Sequence, residues 1–96
     1  MRPLGSVTVV RVAGRGGVPA DAATAVLNVT VTEPAAPGFV TVYPCGITQP
    51  LASNLNFTTG QTVPNAVISK IGTDGDVCLF TSQDTHLVVD VTGYFP

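Results

Sequence analysis

The stretch Thr24-Ala25-Val26-Leu27-Asn28-Val29-Thr30-Val31-Thr32 alternates without a break. Ala25, Leu27, Val29 and Val31 fall on one side; Val26, Asn28, Thr30 and Thr32 fall on the other. Period-2 alternation with β-branched residues on both faces is the pattern of a strand covered by a core on one face. A near-copy closes the chain at His86 to Tyr94, HLVVDVTGY, with Leu87, Val89 and Val91 opposed to Val88, Asp90 and Thr92. Two such strands, one early and one last, are expected to pair as the centre of a small all-β domain.

Working outward, Ser6 to Ala13 (SVTVVRVA) forms a first strand in which Val7, Val9 and Arg11 share a face. The glycine-rich run Gly14 to Pro19 ends it. Such a loop cradles phosphate only when a helix N-terminus follows, and here at most one helical turn fits before Thr24. Glu33 to Gly38 makes a proline-fixed hairpin or corner. Phe39 to Tyr43, Ser53 to Phe57, Val63 to Ile71 and Val77 to Thr81 supply four more short strands. Between the last two, Thr73-Asp74-Gly75-Asp76 is expected to be a hairpin turn, since Asp-Gly supplies positive φ. No segment shows 3.6-residue periodicity, so no helix longer than a turn is expected. About seven strands at turn spacings of roughly ten residues predict an antiparallel β-sandwich over residues 1–96, a single domain. A small β-barrel is the alternative.

Ninety-six residues allow one domain. Charged residues are only 10% of the chain and hydrophobic ones 45%, against roughly 25% charged in ordinary soluble domains. The surface must be built from Thr, Ser, Asn, Gln and Gly, or be covered in part by a partner. A net charge of -2 with no basic cluster excludes nucleic acid as a natural partner, because that affinity rests on Lys and Arg. No apolar run approaches the roughly 20 residues of a membrane-spanning helix, so no membrane insertion is expected. Cys45 and Cys78 make an even count in a small, charge-poor chain, which suggests one disulfide and an oxidising compartment. Two reduced, buried thiols are the competing reading. Met1 to Leu4 is too short and too polar for a signal peptide, so a leader would be one already removed or one carried elsewhere in a longer protein.

The runs GRGGVPADAATAVLNVTVTEPAAPGFVTVYPCG, ASNLNFTTGQTVPNAVISKIG, GDVCLFTS and LVVDVTGYF together resemble a repeat module of secreted actinobacterial proteins. There it occurs alone or in tandem beside hydrolase and peptidase domains. The resemblance covers residues 14 to 95 and implies an extracellular or cell-surface β-domain without an established catalytic role. Family members usually carry an upstream Arg-x-x-Asp-Thr-Arg-like segment, and this chain begins after that point, so either the module is a shortened form or a strand and a basic cluster are missing. A missing strand would leave an open sheet edge, and open edges pair with other chains; homo-oligomerisation is the expectation that follows.

Five residues make the best case for a ligand site: Asn54, Asn56, Asn65, Gln61 and Tyr43. Amides match sugar hydroxyls and an aromatic ring stacks on a sugar face. The same residues are equally ordinary on a solvated or loop-tethering surface, and the absence of Trp favours that reading. Asn28 and Asp90, polar residues inside the two most apolar strands, form either a shared polar site or a pair satisfied by backbone and hydroxyls. Phe57 and Tyr94 alternate with core residues and are expected to pack. His86, the single histidine, begins the last strand near Ser82 and Asp84. No G-x-S-x-G elbow accompanies it, so a surface role is expected. One His and two Cys do not make an ordinary zinc site. Asp74, Asp76 and Asp84 lack EF-hand spacing and suit turns. The sequons Asn28-Val29-Thr30 and Asn56-Phe57-Thr58 are read as incidental.

The reading is a non-catalytic extracellular binding or adhesion module for cell-surface glycan or protein, with no cofactor or metal. The second reading is a structural spacer or self-assembling subunit using exposed edge strands. No pair of groups suited to acid–base or nucleophilic work shares a plausible site, so an enzyme is not expected.

Overall fold

The structure, a computed structural model, describes residues 1–15, 17–50 and 53–96. Seven strands follow one another: β1 (Val7–Arg11), β2 (Thr24–Thr32), β3 (Gly38–Pro44), β4 (Leu55–Phe57), β5 (Val63–Lys70), β6 (Asp76–Thr81) and β7 (His86–Phe95). They form a four-stranded sheet of order β1-β6-β3-β4 and a three-stranded sheet of order β5-β2-β7. All pairings are antiparallel. The fold is therefore an all-β sandwich, and the two sheets are separate rather than closed into a barrel.

β2 sits at the centre of the three-stranded sheet because its alternation is strict. Ala25, Leu27, Val29 and Val31 are fully buried, while the residues between them are half-buried. The facing sheet contributes Val40, Val42, Leu55, Phe57, Val77 and Leu79, and the connection between β1 and β2 adds Val12, Val18 and Ala22. Burying each such Val or Leu side chain is worth about 1.5–3 kcal/mol. β2 and β7 do pair, as their likeness predicts, but β7 lies at the sheet's edge. Leu87 and Val89 pack against the core. Beyond them Val26 opposes Gly93 and Leu27 opposes Val91, so Thr92 is an inserted bulge residue whose Oγ1 donates to the Val26 carbonyl at 3.2 Å. Past the bulge Tyr94 is exposed, contrary to the expectation that it packs. Phe57 is buried as expected.

Only β3 and β4 are both consecutive and paired; every other connection among these strands crosses between sheets. The Asp74-Gly75 turn is thus not a hairpin. A single 3₁₀ turn at Thr73–Gly75 carries the chain from β5 in one sheet to β6 in the other. Asp74 and Gly75 do adopt positive φ, 60° and 79°. A reversal fixes direction, not pairing, and the apolar faces of β5 and β6 send them to opposite layers. Gly72 beside it is required by close approach. A Cβ there would lie 2.1 Å from the Cys45 carbonyl oxygen, while the Thr73 amide donates to that same oxygen at 2.8 Å.

β4 is shorter than its sequence suggests because Asn54 substitutes a side chain for backbone. Its Oδ1 accepts from the Val42 amide at 2.7 Å, and its own amide donates to the Val40 carbonyl at 2.9 Å. At the start of β7, Thr85 is fully buried. Its hydroxyl donates to the carbonyls of Thr32 at 3.0 Å and His86 at 3.2 Å. Thr85→Val keeps the shape but leaves these acceptors without that donor, and is expected to cost about 1–2 kcal/mol. Urea unfolding checks this, and an unchanged midpoint would show that the hydroxyl contributes nothing.

Cys45 and Cys78 are disulfide-bonded, with Cα atoms 5.1 Å apart. The bond ties the end of β3 to its neighbour β6 and suits an oxidising, non-cytoplasmic environment.

Candidate functional site

Of the five residues singled out in the sequence, the structure brings Asn54 and Asn65 together, and it engages Asn54, Asn65 and Gln61 in hydrogen bonds within the chain. Asn54 is committed to β3 as described. Asn65 Nδ2 donates to the Asn54 carbonyl at 2.7 Å, which ties β5 to the strand that faces it. Gln61 Oε1 accepts from the amide and hydroxyl of Thr58, both at 3.1 Å, and closes its own turn. Tyr43 is 7% exposed and joins the buried set. Asn56 stands exposed on β4, opposite Phe39, and Asn54, Gln61 and Asn65 are exposed as well.

That last pairing leads to a surface the sequence did not disclose. On β3, Val40 and Val42 face the core, so Phe39, Thr41 and Tyr43 face outward. Register brings Phe80 beside Thr41 and Val7, and Cys78 beside Tyr43 and Val9. The outer face of the four-stranded sheet therefore carries Val7, Val9, Phe39 and Phe80 around the buried Thr41 and Tyr43. The Phe39 and Phe80 ring centroids are 5.9 Å apart with planes tilted by 43°. Phe39 is held from the backbone side: its amide donates to Ser82 Oγ at 2.8 Å, and its carbonyl accepts from the Ser82 amide at 3.0 Å. β1 shares its outward face among Val7, Val9 and Arg11 as expected. The apolar pair on that face is the exposed one, Val7 at 40% and Val9 at 60%, because Thr8 and Val10 oppose the core residues Leu79 and Val77.

Among the described residues, charge enters this face at the Arg11 end. Arg11 Nε donates to Asp76 Oδ1 at 2.6 Å. The hydrogen bond to Asp76, and then its negative charge, raise the guanidinium's pKa above its ordinary value. A raised basic group adds stability that is complete below its unfolded-state pKa and fades only as pH rises through the folded value. For arginine that window lies at extreme alkalinity, so through this guanidinium the pair adds no pH dependence under ordinary conditions.

The outer face of the other sheet brings Asn28 and Asp90 directly opposite each other, with Ala66 on Asn28's other side. Around them stand Val26, Ile68, Pro64 and Val88. Asp90 is exposed. His86 is half-buried at the sheet's rim, with Nε2 3.8 Å from Glu33 Oε2. Of the three turn aspartates, Asp76 holds Arg11, and Asp84 Oδ1 accepts from the Leu4 amide at 2.6 Å. Among the described residues no cluster of three or more His, Cys, Asp or Glu could hold a metal ion, and no helix is long and apolar enough to cross a membrane. No protein-family model, curated protein or solved structure matches this chain.

Proposed function

We propose that this chain is a non-catalytic extracellular binding module that docks another protein on the outer face of its four-stranded sheet. The observation that carries the reading is the apolar, almost uncharged surface formed by the exposed Phe39, Val7 and Val9 and the half-buried Phe80, with Asn56 at its rim. Contiguous exposed apolar side chains rimmed by polar ones mark interaction surfaces, and aromatic residues are enriched at the cores of protein interfaces. A glycan is less well served. Sugar recognition favours free amides and a flat aromatic platform, whereas Asn54, Asn65 and Gln61, though exposed, each have one polar atom bonded within the chain, and the two Phe rings are tilted. The disulfide supports an oxidising location, and the resemblance to secreted modules adds to it.

The experiment is saturable binding of the labelled module to intact cells of the organism that secretes it. Binding is expected to vanish after protease treatment of the cells and to survive periodate oxidation of their glycans. Phe39→Lys, a charge placed in the middle of the face, is expected to weaken binding at least tenfold, or about 1.4 kcal/mol. Absence of saturable binding, or sensitivity to periodate instead of protease, would overturn the reading.

A further inference from the structure

The four sheet edges are not equally defended. β5 carries Pro64 and Lys70, and β4 has three residues. β7 is broken by the Thr92 bulge, and its first end is occupied by Arg2, bridged to Thr85 in both directions. Proline, lysine, bulges and shortness are the usual means by which edges avoid pairing. β1 has none of them between Val7 and Val10. The Thr81 amide donates to the Ser6 carbonyl, and the Val12 amide donates to the Gly75 carbonyl, so Ser6 and Val12 turn their backbone toward β6 and its extension. Backbone groups alternate sides along a strand; those of Val7, Val9 and Arg11 therefore face outward from the sheet edge.

We infer that β1 is a self-pairing edge: it takes β1 of a second copy, antiparallel, about a two-fold axis at Thr8, joining the two four-stranded sheets into one. In this register Val7 of each copy lies opposite Val9 of the other and exchanges both backbone hydrogen bonds with it. The four valines, exposed in the single chain, cover one another on the outer face. Thr8 lies opposite Thr8 of the second copy as a non-hydrogen-bonded pair, the geometry in which side chains approach most closely. Among the described residues Thr8 Oγ1 is buried without a hydrogen-bond partner, as is Ser6 Oγ; an orphaned hydroxyl is costly, and Thr–Thr hydrogen bonds are a stabilising cross-strand pair. Charge is compatible as well. Arg11 would face Gly5 of the second copy, so no like charges meet. A single short strand pair belongs to the small, weak class of interfaces, below about 1,200 Å² in total, and association is therefore concentration-dependent.

Sedimentation of the intact chain from about 10 µM to about 1 mM, across the usual range of weak association, is expected to show the mass rising from one chain toward two. Val9→Pro removes an N–H that faces the open edge, where proline is tolerated, and is expected to weaken self-association at least tenfold. Val9→Lys does the same should proline disturb folding. Thr8→Cys fixes the register: a non-hydrogen-bonded pair has Cα atoms about 4.5 Å apart, within disulfide reach of about 4.4–6.8 Å. Mild oxidation is then expected to give a covalent dimer, whereas Val9→Cys does not cross-link to itself. A single-chain mass throughout, a dimer that survives both Val9 variants, or cross-linking through Val9→Cys in place of Thr8→Cys each overturns the inference. The docking reading above is tested separately, because Phe39→Lys leaves the β1 edge intact.

Discussion

Leu27→Ala is expected to lower the stability of the fold by about 3–5 kcal/mol, within the usual range for buried leucine truncation. Leu27 is fully buried in the middle of β2. β5 and β7 hold it on both sides, with Val67 and Val91 as its cross-strand neighbours. The lost transfer energy is compounded by a cavity, because a strand hydrogen-bonded on both edges cannot shift to fill it. A domain of this length has a total stability of about 5–14 kcal/mol, so the substitution removes at least about a fifth of it. The melting temperature should fall by roughly 15–25 °C. Ile68→Ala is the control: Ile68 is a neighbouring large aliphatic, 67% exposed on the outward face, and its truncation should change stability by less than about 0.5 kcal/mol. Thermal unfolding followed by circular dichroism separates the two variants. Equal small shifts for both would mean that β2 does not organise the core.

The contrast between Leu27 and Ile68 shows which parts of this fold were legible in the sequence. β2 was legible because its alternation is unbroken and one face is purely aliphatic. β1 was harder, for a physical reason. Its outward residues are Val7 and Val9, while its inward ones include Ser6 and Thr8, so hydrophobicity points the wrong way at an edge that burial never fully covers. The Asp74-Gly75 turn was recognised as a turn but not as a crossing between layers. Local φ preferences are written in two residues; the choice between pairing and crossing is made by strands far away. β7 carries the same lesson. Its period holds to Val91 and then slips by one residue at Thr92, where Gly93, an isolated glycine in a strand pattern, is the mark of a bulge but does not say which way the next residue turns, and Tyr94 is left in solvent.

For the candidate site, legibility ended at residue type. An asparagine that tethers a loop and one that meets a ligand have the same donors and acceptors, and only the register of β3 against Asn54 and the reach of Asn65 distinguish them. The face built on Phe39 and Phe80 could not be found from the chain order. The two rings are 41 positions apart in the sequence (80 minus 39), and they meet only because β3 and β6 pair non-sequentially. The shared outward face of Phe39, Thr41 and Tyr43 was available from period 2, and it is the signal that could have led there. What it lacked was the neighbouring strand.

The second large effect is expected from the disulfide. Cys45→Ala with Cys78→Ala should destabilise the protein by about 3–4 kcal/mol if the bond acts through the entropy of the unfolded chain. The cysteines are 33 residues apart, and closing a loop of that length is worth this much on the chain-entropy account. The enclosed segment contains β4, β5 and the crossing turn to β6, so it includes the shortest strand of the structure. Backbone contacts that do not involve the sulfurs flank the bond: the Cys45 amide donates to the Asp76 carbonyl at 3.3 Å, and the Thr73 amide donates to the Cys45 carbonyl at 2.8 Å. The double variant should therefore keep the same sheets while its urea midpoint drops by roughly 1–4 M, given typical slopes of about 1–3 kcal/mol/M. Reduction of the unaltered protein should give nearly the same loss. Agreement between the two assigns the effect to the covalent link itself. A much larger loss in the alanine variant would instead locate it in the packing of the Cys78 side chain beside Tyr43, and a loss under about 1 kcal/mol in both would remove the cross-link as a determinant of this fold's stability.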